Sequence, residues 1–299
     1  MTKCRMWRGR RSERLVAAAF LVVVLITVCL VVADNRDNSD AAAGDMFTGH
    51  VAIGDCTYEM PFKVLTESDS TGTVQVGTGA QYKCSLSDNC ASGCLTVPDT
   101  VVHNGITYSV TSISDYAFFR CHSLTSVTIP DSVTSVSDYA FYECFLLTSV
   151  TIPDSVTSIG NGAFEYCYTL KTVTILGSVE SIGNGAFSGC CSLASITLPD
   201  GMRSIGNGAF SGCCSLASIT LPDSMRSIGD SAFSSSYSLT SVTIPDNVES
   251  IGDGAFSSCN SLASVTIPDS VTKIGTKAFQ YCCSLATVVI GGKDAWITT

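Results

Sequence analysis

An Ala-Phe pair recurs in this sequence at a fixed interval. Its phenylalanines are 23 residues apart through eight copies, with no insertion or deletion: Phe118, Phe141, Phe164, Phe187, Phe210, Phe233, Phe256 and Phe279. A constant period of this length is typical of chains built from stacked structural units. Because one unit cannot bury its own apolar side, the sequence predicts a solenoid in which each unit covers the next.

The strand of each unit is clearest in the copy that contains Leu147, Val150 and Ile152. Their spacing, Leu-x-x-Val-x-Ile, is typical of leucine-rich repeats. Since side chains alternate along a strand, Val150 and Ile152 are expected to face inward, while Ser149 and Thr151 face outward. Each unit therefore predicts one rung of a parallel sheet.

The residues after this strand predict a return path for the chain. Pro153 ends the strand, because proline has no N–H to donate to a neighbouring strand. Gly160 permits a positive φ, and Asn161 is expected to act as the N-cap of one helical turn that carries Phe164. The predicted fold is a leucine-rich-repeat solenoid with a parallel β-sheet on one face, short helical turns on the convex side and a β-rich N-terminal cap.

Composition limits the class of protein. The chain is 45% hydrophobic and only 14% charged, which is too apolar for a disordered protein. The net charge is −10 although the first 14 residues are basic, so the rest of the chain is markedly acidic. Nucleic-acid binding needs a basic footprint, and nucleic acid is therefore not expected as a partner.

The N-terminal 33 residues have the pattern of a targeting segment. Residues 1–14 are basic, and residues 15–33 are uncharged and apolar, long enough as a helix to span a hydrocarbon core of about 30 Å. The positive-inside rule places residues 1–14 in the cytosol. A transmembrane signal anchor and a cleaved signal peptide both stay open, and either places the repeats outside, as a single-pass cell-surface protein or a secreted one.

A polar stalk is expected over residues 34–50, and a cysteine-containing N-terminal cap over residues 51–94. Four cysteines fall in this cap: Cys56, Cys84, Cys90 and Cys94. In an exported chain they predict two disulfides, with three possible connectivities. Zinc is the alternative, although no second closely spaced pair accompanies Cys90 and Cys94.

The solenoid itself is expected over residues 95–292. A degenerate first unit begins at Leu95, and Asn104-Gly105 predicts a tight hairpin turn in the insertion that follows. Residues 293–299 remain as a C-terminal tail, in which Trp296 is expected to cover the last unit.

Three motifs occur within residues 95–291. They are an Ile/Val-Pro-Asp-x-Val turn, the segment Gly-Ile-Thr-Tyr-x-Val-Thr-x-Ile at residues 105–113, and tandem Ile-Gly-x-x-Ala-Phe-x-x-Cys-x-Ser-Leu-x-Ser-Val-x-Ile-Pro units. Together they resemble the BspA-like leucine-rich-repeat proteins. The resemblance implies a solenoid on a cell surface, with roles in adhesion and in binding host or matrix proteins, and it supplies no catalytic residues.

One cysteine recurs at a fixed position in the units, and serine replaces it once, at Ser236. The column consists of Cys121, Cys144, Cys167, Cys190, Cys213, Cys259 and Cys282. We expect these side chains to be small buried fillers. Mostly free thiols are expected, because the Cβ atoms of adjacent rungs point the same way and suit a disulfide poorly.

Two columns of serine and threonine are expected to face outward from the strands. Their members are Ser126, Thr128, Ser149, Thr151, Thr172, Thr174, Ser195, Thr197, Ser218, Thr220, Ser241, Thr243, Ser264 and Thr266. The columns predict a ligand-contact face for an extracellular protein or glycan. Two alternatives remain: a structural surface or matrix element without a defined ligand, whose hydroxyls bond to rung neighbours, and ice binding, since regular Thr arrays resemble those of β-solenoid antifreeze proteins.

Catalytic chemistry is not predicted. The three histidines, His50, His103 and His122, lie in no metal-ligand or nucleophile-activating pattern. No catalytic residue, metal site or cofactor is therefore assigned. The sequence predicts an adhesion-type binding protein, tethered through residues 15–33 if they are not cleaved.

Overall fold

The computed structural model describes residues 44–53, 56–68, 70–77, 93–291 and 293–295. The predicted targeting segment and Trp296 lie outside these ranges. The regular elements within them are all β-strands, and none of the described residues forms a helix that could cross a membrane. The chain coils into a solenoid whose successive rungs, each one 23-residue period, stack in parallel.

Six strands build the N-terminal end: β1 (Met46–Ile53), β2 (Cys56–Glu67), β3 (Thr71–Val76), β4 (Gly93–Thr96), β5 (Thr100–His103) and β6 (Ile106–Ile113). The first three pair in antiparallel order, with Phe62 and Val74 buried between them and the repeats. β3 then pairs with β6 in parallel, which joins these strands to the solenoid. β1 begins at Met46, within the range expected for the stalk.

The hairpin predicted at Asn104-Gly105 connects β5 to β6. Both residues have positive φ, 50° for Asn104 and 79° for Gly105, as a type I′ turn requires. His103 pairs with Ile106 on either side of the turn, in an antiparallel register. This prediction is confirmed.

The main ladder of the solenoid follows the Leu-x-x-Val-x-Ile motif. Its strands after β4 are β7 (Leu124–Thr128), β9 (Ser149–Ile152), β11 (Thr172–Ile175), β13 (Ser195–Thr197), β15 (Ser218–Thr220), β17 (Ser241–Thr243), β19 (Ser264–Ile267) and β21 (Thr287–Ile290). Val150 pairs with Val173, one period away, and both are buried. The predicted parallel sheet is confirmed, and β4 forms its degenerate first rung.

A second parallel ladder, which the sequence did not predict, runs beside the first. It continues from β6 through two-residue strands: β8 (Ser135–Val136), β10 (Ser158–Ile159), β12 (Ser181–Ile182), β14 (Ser204–Ile205), β16 (Ser227–Ile228), β18 (Ser250–Ile251) and β20 (Lys273–Ile274). Ser158 pairs with Ser181 and Ile159 with Ile182. The isoleucines face the core, since Ile159 and Ile182 are each 2% exposed.

The short helical turns expected on the convex side are not found in the described residues, and this prediction is wrong. The N–H of Tyr142 donates to the carbonyl of Tyr139, three residues back, whereas the N–H of Phe141 donates to Ala163 in the next rung at 2.7 Å. Because amides alternate between these two partners, the i to i−4 bonds of an α-helix do not form. Left-handed φ angles of 55° at Tyr139 and 56° at Glu143 also interrupt any helical run.

The predicted N-cap at Asn161 is wrong as well. Its side-chain oxygen accepts the backbone N–H of Asn184 in the next rung at 2.8 Å, and Asp138 accepts that of Asn161 at 2.6 Å. These side chains therefore link rungs instead of capping a helix. Gly160 is needed for close approach, not for a positive φ, because a Cβ there would lie 2.5 Å from the carbonyl carbon of Ser137.

The phenylalanines form one continuous stack through the core. Centroids of consecutive rings lie 5.0–5.5 Å apart, and the ring planes are within 9° of parallel. The rings from Phe118 to Phe256 are fully buried, as is Leu147 beside them. The rungs are thus aligned by their apolar residues.

The last rung is less protected than the others. Ile274 and Ile290 are 43% and 46% exposed, whereas their counterparts one rung earlier, Ile251 and Ile267, are buried. β22 (Lys293–Ala295) turns back and pairs with β21 in antiparallel order. This hairpin covers the edge of the main ladder, which would otherwise present unpaired backbone groups.

Candidate binding face

The main ladder brings the predicted serine and threonine columns together on one face, here named the hydroxyl face. Thr151 pairs with Thr174, and the threonine column continues in register from Thr128 to Thr266. Twelve of the fourteen side chains are exposed, and Ser126 and Ser149 are half-buried. Since parallel strands lie about 4.8 Å apart, the face is a regular lattice of hydroxyls.

Among the described residues, the hydroxyls of this face do not bond to other groups of the protein. Within residues 93–291, none of the fourteen side chains donates a hydrogen bond to a rung neighbour, in contrast to threonines just outside the columns. Thr148 donates to the carbonyl of Thr125 at 2.9 Å, and Thr240 donates to that of Ala217 at 3.1 Å. Each hydroxyl in the columns can therefore donate one hydrogen bond to solvent or a ligand and accept two.

Carboxylates border one end of the hydroxyl face. A shallow hollow of about 420 Å³ lies beside Thr243 and Thr266, and Asp246, Pro268 and Asp269 complete part of its wall. The two aspartates accept hydrogen bonds, so a donor-rich ligand on the threonines would meet acceptors there.

Sequence reasoning missed that the face extends one rung further toward the N-terminus. Cys94 of β4 pairs with Ser126, and Thr96 pairs with Thr128. Both side chains are exposed. The sequence pattern that predicts this extra rung is Leu95-Thr96-Val97, which aligns with the later strands.

Cys94 is a free thiol and does not form the expected disulfide. The alternation of β4 buries Leu95 and turns Cys94 toward solvent. The side chains of the other three candidates, Cys56, Cys84 and Cys90, lie outside those that the structure describes. Cys121, in a column where mostly free thiols are expected, is buried as a filler would be but is disulfide-bonded.

Other members of the cysteine column behave as buried fillers. The thiol of Cys144 donates to the carbonyl of Phe118 in the preceding rung at 3.3 Å, and Ser236 takes the same role toward Phe210 at 3.1 Å. Burial raises the pKa of the Cys144 thiol well above its ordinary value, and raises the pKa of Cys259 to about 12. These thiols are protonated at neutral pH and are poor nucleophiles. The described residues contain no group of three or more His, Cys, Asp or Glu that could hold a metal ion.

The two described histidine side chains take part in ring packing. His103 stacks on Phe47 with centroids 4.3 Å apart, and burial lowers the pKa of its imidazole. His122 stacks on Phe145 at 4.4 Å.

A second surface lies on the turn segments of the first three rungs. We name it the aromatic patch, and it consists of Tyr116, Phe119, Tyr139, Tyr142, Tyr166 and Tyr168. Tyr116 stacks on Tyr139 at 5.1 Å, and Phe119 stacks on Tyr142 at 5.2 Å. Tyr142 meets Tyr166 edge-on at 5.6 Å, so the rings are continuous. Its sequence signal was a run of aromatics, most of them at positions that glycine and serine fill in the units of Phe187 and Phe210.

Charged groups lie among these rings. Arg120 pairs with Glu143 at 2.8 Å, and its guanidinium carbon lies 5.0 Å from the centroid of Phe119. Burial raises the pKa of the Glu165 carboxyl, and that carboxylate in turn raises the pKa of Tyr166. Burial and then the charges of Glu143 and Glu165 raise the pKa of Tyr142 to about 12. The rings therefore stand in a negative field.

Comparison with known proteins agrees with this architecture. A family model described as the BspA type leucine-rich repeat region matches residues 85–200 and 180–297, with six copies. No curated protein matches the chain.

Several solved structures are similar to it. A leucine-rich-repeat protein from Bacteroides ovatus is 26% identical with a TM-score of 0.47, covering 78% of this chain and 70% of its own. The T. pallidum leucine-rich-repeat protein is 24% identical with a TM-score of 0.49, at 75% and 87% coverage. A leucine-rich cell surface protein from Faecalibacterium prausnitzii is 25% identical with a TM-score of 0.29, at 77% and 93% coverage.

Proposed function

The chain belongs to the BspA-type leucine-rich-repeat family, and we propose that it is an extracellular, adhesion-type protein whose hydroxyl face binds a protein or a glycan. One observation carries the proposal: fourteen hydroxyls stand in register on that face, and none is bonded to a rung neighbour. A purely structural surface would have no need to keep them available.

The chemistry of the face suits many modest contacts. Hydroxyls both donate and accept, and the two columns contain no charged side chain, so extended backbones or sugar hydroxyls can bond at successive rungs. Because equivalent rungs offer equivalent contacts, affinity should grow with the number of rungs engaged instead of resting on one dominant residue.

We place the repeats outside the cell, on its surface or secreted. The basic residues 1–14 and the apolar residues 15–33 support export. Sequencing the N-terminus of the mature protein distinguishes the two fates. A chain that begins at Met1 is tethered, and one that begins after residue 33 is released.

The test of binding uses the full chain against immobilised extracellular-matrix proteins and glycans. The variant Thr174→Val/Thr197→Val/Thr220→Val removes three hydroxyls of the face while keeping the side-chain shape. Thr157→Val is the matched control, because its hydroxyl already donates to Thr134. The proposal expects saturable binding that the triple variant weakens and the control does not. A panel with no saturable partner would favour the structural alternative.

Removing whole rungs tests how the contacts are distributed. Deleting residues 181–226 removes two periods from the middle of the face. We expect binding to weaken in proportion to the lost area. Complete loss of binding, with the remaining rungs still folded, would instead locate a discrete site within the deleted rungs.

A further inference from the structure

The aromatic patch occupies positions that the fold does not require to be aromatic. The position of Tyr142 is taken by Ser188 two rungs later, and that of Tyr166 is taken by Gly189. Those later rungs keep the same turns, the same buried phenylalanine and the same inter-rung hydrogen bonds. The rings are therefore additions to the surface and not parts of the repeat's core.

Three of the rings are retained on an unfavourable backbone. Tyr116, Tyr139 and Tyr166 have φ angles of 57°, 55° and 59°. Bulky residues are uncommon in this left-handed region, and glycine would relieve the strain, as Gly185 and Gly189 do in a later rung. The same left-handed backbone carries Ser231, Lys277 and Tyr281 in later rungs, so the conformation belongs to the repeat and does not itself call for aromatic side chains.

The rings of the patch also pack against one another. Each of its six rings contacts another, from the stacked pair Tyr116 and Tyr139 to Tyr166 and Tyr168 at 5.9 Å. Tyr168 is 44% exposed and the other five are half-buried. Aromatic side chains that are already packed in this way lose little conformational entropy when a partner binds.

Charge indicates the chemistry of the partner. The carboxylates of Glu143 and Glu165 lie among the rings, and Arg120 is the single arginine or lysine between residues 114 and 168. Aromatic faces attract cations, and nearby carboxylates strengthen that preference. The combination favours a cationic ligand over a neutral one.

Arg120 shows the expected binding mode within the chain itself. Its guanidinium lies over Phe119 and pairs with Glu143 at the same time. Glu165, beside Tyr142 and Tyr166, offers a second combination of rings and carboxylate, and no basic side chain pairs with it in the described part of the chain.

We propose that the aromatic patch is a docking surface for a basic segment of a partner protein, in which an arginine stacks on Tyr142 or Tyr166 and pairs with Glu165. Arginine suits the site better than lysine, because its planar guanidinium stacks on rings and bonds a carboxylate with two N–H groups. The surface lies on the turn segments, apart from the strands that carry the hydroxyl face, so this site operates independently of the function proposed above.

The first test needs no substitution in the protein. The full chain is titrated with a fluorescent Arg-Gly-Ser repeat peptide and with the same peptide carrying citrulline, which keeps the planar group but has no charge. We expect saturable binding of the arginine peptide that weakens with salt, and at least about tenfold weaker binding of the citrulline peptide. Equal affinities, or no saturable binding of the arginine peptide, would overturn the proposal.

Variants then locate the site. Tyr142→Ser/Tyr166→Gly introduces the residues of a later rung, and Glu165→Gln removes one charge. Each should weaken the arginine peptide, the double variant about tenfold. Tyr237→Ser, which removes a tyrosine that is 45% exposed outside the patch, is the control and should change affinity less than twofold. Equal effects from Tyr237→Ser would refute the assignment.

Two further outcomes identify other binding modes. An oligosaccharide that binds through Tyr142 and Tyr166 while the arginine peptide does not would replace the basic partner with a glycan. The Thr174→Val/Thr197→Val/Thr220→Val variant should bind the arginine peptide as the unmodified chain does, and loss of binding there would place the peptide on the hydroxyl face.

Discussion

Replacing Phe210 with alanine measures how the rungs share stability. Phe210 is fully buried, and its ring lies 5.5 Å from that of Phe187 and 5.4 Å from that of Phe233. Truncating a buried phenylalanine costs about 3–5 kcal/mol, of which each ring pair contributes about 0.5–1.5 kcal/mol. Phe279, in the last rung, is half-buried and has one ring neighbour, Phe256 at 5.4 Å. Phe279→Ala should therefore cost about half as much as Phe210→Ala.

Urea unfolding followed by circular dichroism compares the two variants with the unmodified chain. Native-state hydrogen exchange shows which amides lose protection. For Phe210→Ala, the loss of protection should be largest in the rungs of Phe187 and Phe233. Equal costs at Phe210 and Phe279, or a cost below about 1 kcal/mol at Phe210, would show that a continuous ring stack does not hold the rungs together.

Other predictions concern the cysteines. Ser236→Cys should raise the free energy of unfolding by about 1 kcal/mol, because a thiol is cheaper to bury than a hydroxyl, and Cys213→Ser should lower it similarly; calorimetry that finds Ser236→Cys destabilising contradicts this. Burial raises the pKa of the Cys259 thiol from its ordinary value of 9.0 to about 12, so the thiol loses its proton at lower pH in the unfolded chain than in the folded one. The contribution of this thiol to the free energy of unfolding should therefore be complete below pH 9 and fall as the pH rises toward 12. A urea midpoint that rises between pH 9 and pH 12 would contradict the raised pKa of Cys259. Iodoacetamide at pH 8 should label Cys94, an exposed thiol, before Cys144, which is buried, and mass spectrometry showing the reverse order would place Cys144 at the surface.

The stacked core could be predicted because identical residues at identical positions leave one arrangement. Phe187 and Phe210 belong to identical stretches of sequence, so whatever environment suits one must suit the other, and stacking in register provides it. The hairpin at Asn104-Gly105 could also be predicted from the sequence, since few dipeptides accept two positive φ angles.

The turn segments could not be predicted in the same way. Tyr139 and Glu143 give no local sign of a left-handed backbone, which the contact with the next rung imposes on them. Gly185 and Gly189, four residues apart, were the available hint. The second ladder escaped prediction because two residues, such as Ser158 and Ile159, are too short to show a strand period.

The two candidate surfaces differ in how far the sequence revealed them. Alternation along each strand placed the hydroxyl face correctly, because Ser149 and Thr151 must point away from Val150. That their hydroxyls stay unbonded needed coordinates. The aromatic patch depends on Tyr142 and residues from two adjacent rungs meeting side by side, which a linear sequence does not display.

Deleting residues 204–226 tests most directly whether the rungs stack in register. It removes one period and joins Arg203 to Ser227, so that β12 can pair with β16 in the register that β14 now has. The shorter deletion of residues 204–214 removes β14 and Phe210 but leaves the strand β15, so half a rung remains without its core. The account predicts that the longer deletion unfolds cooperatively in urea and is more stable than the shorter one. If the shorter deletion gives the more stable protein, stacking in register is not what organises this chain.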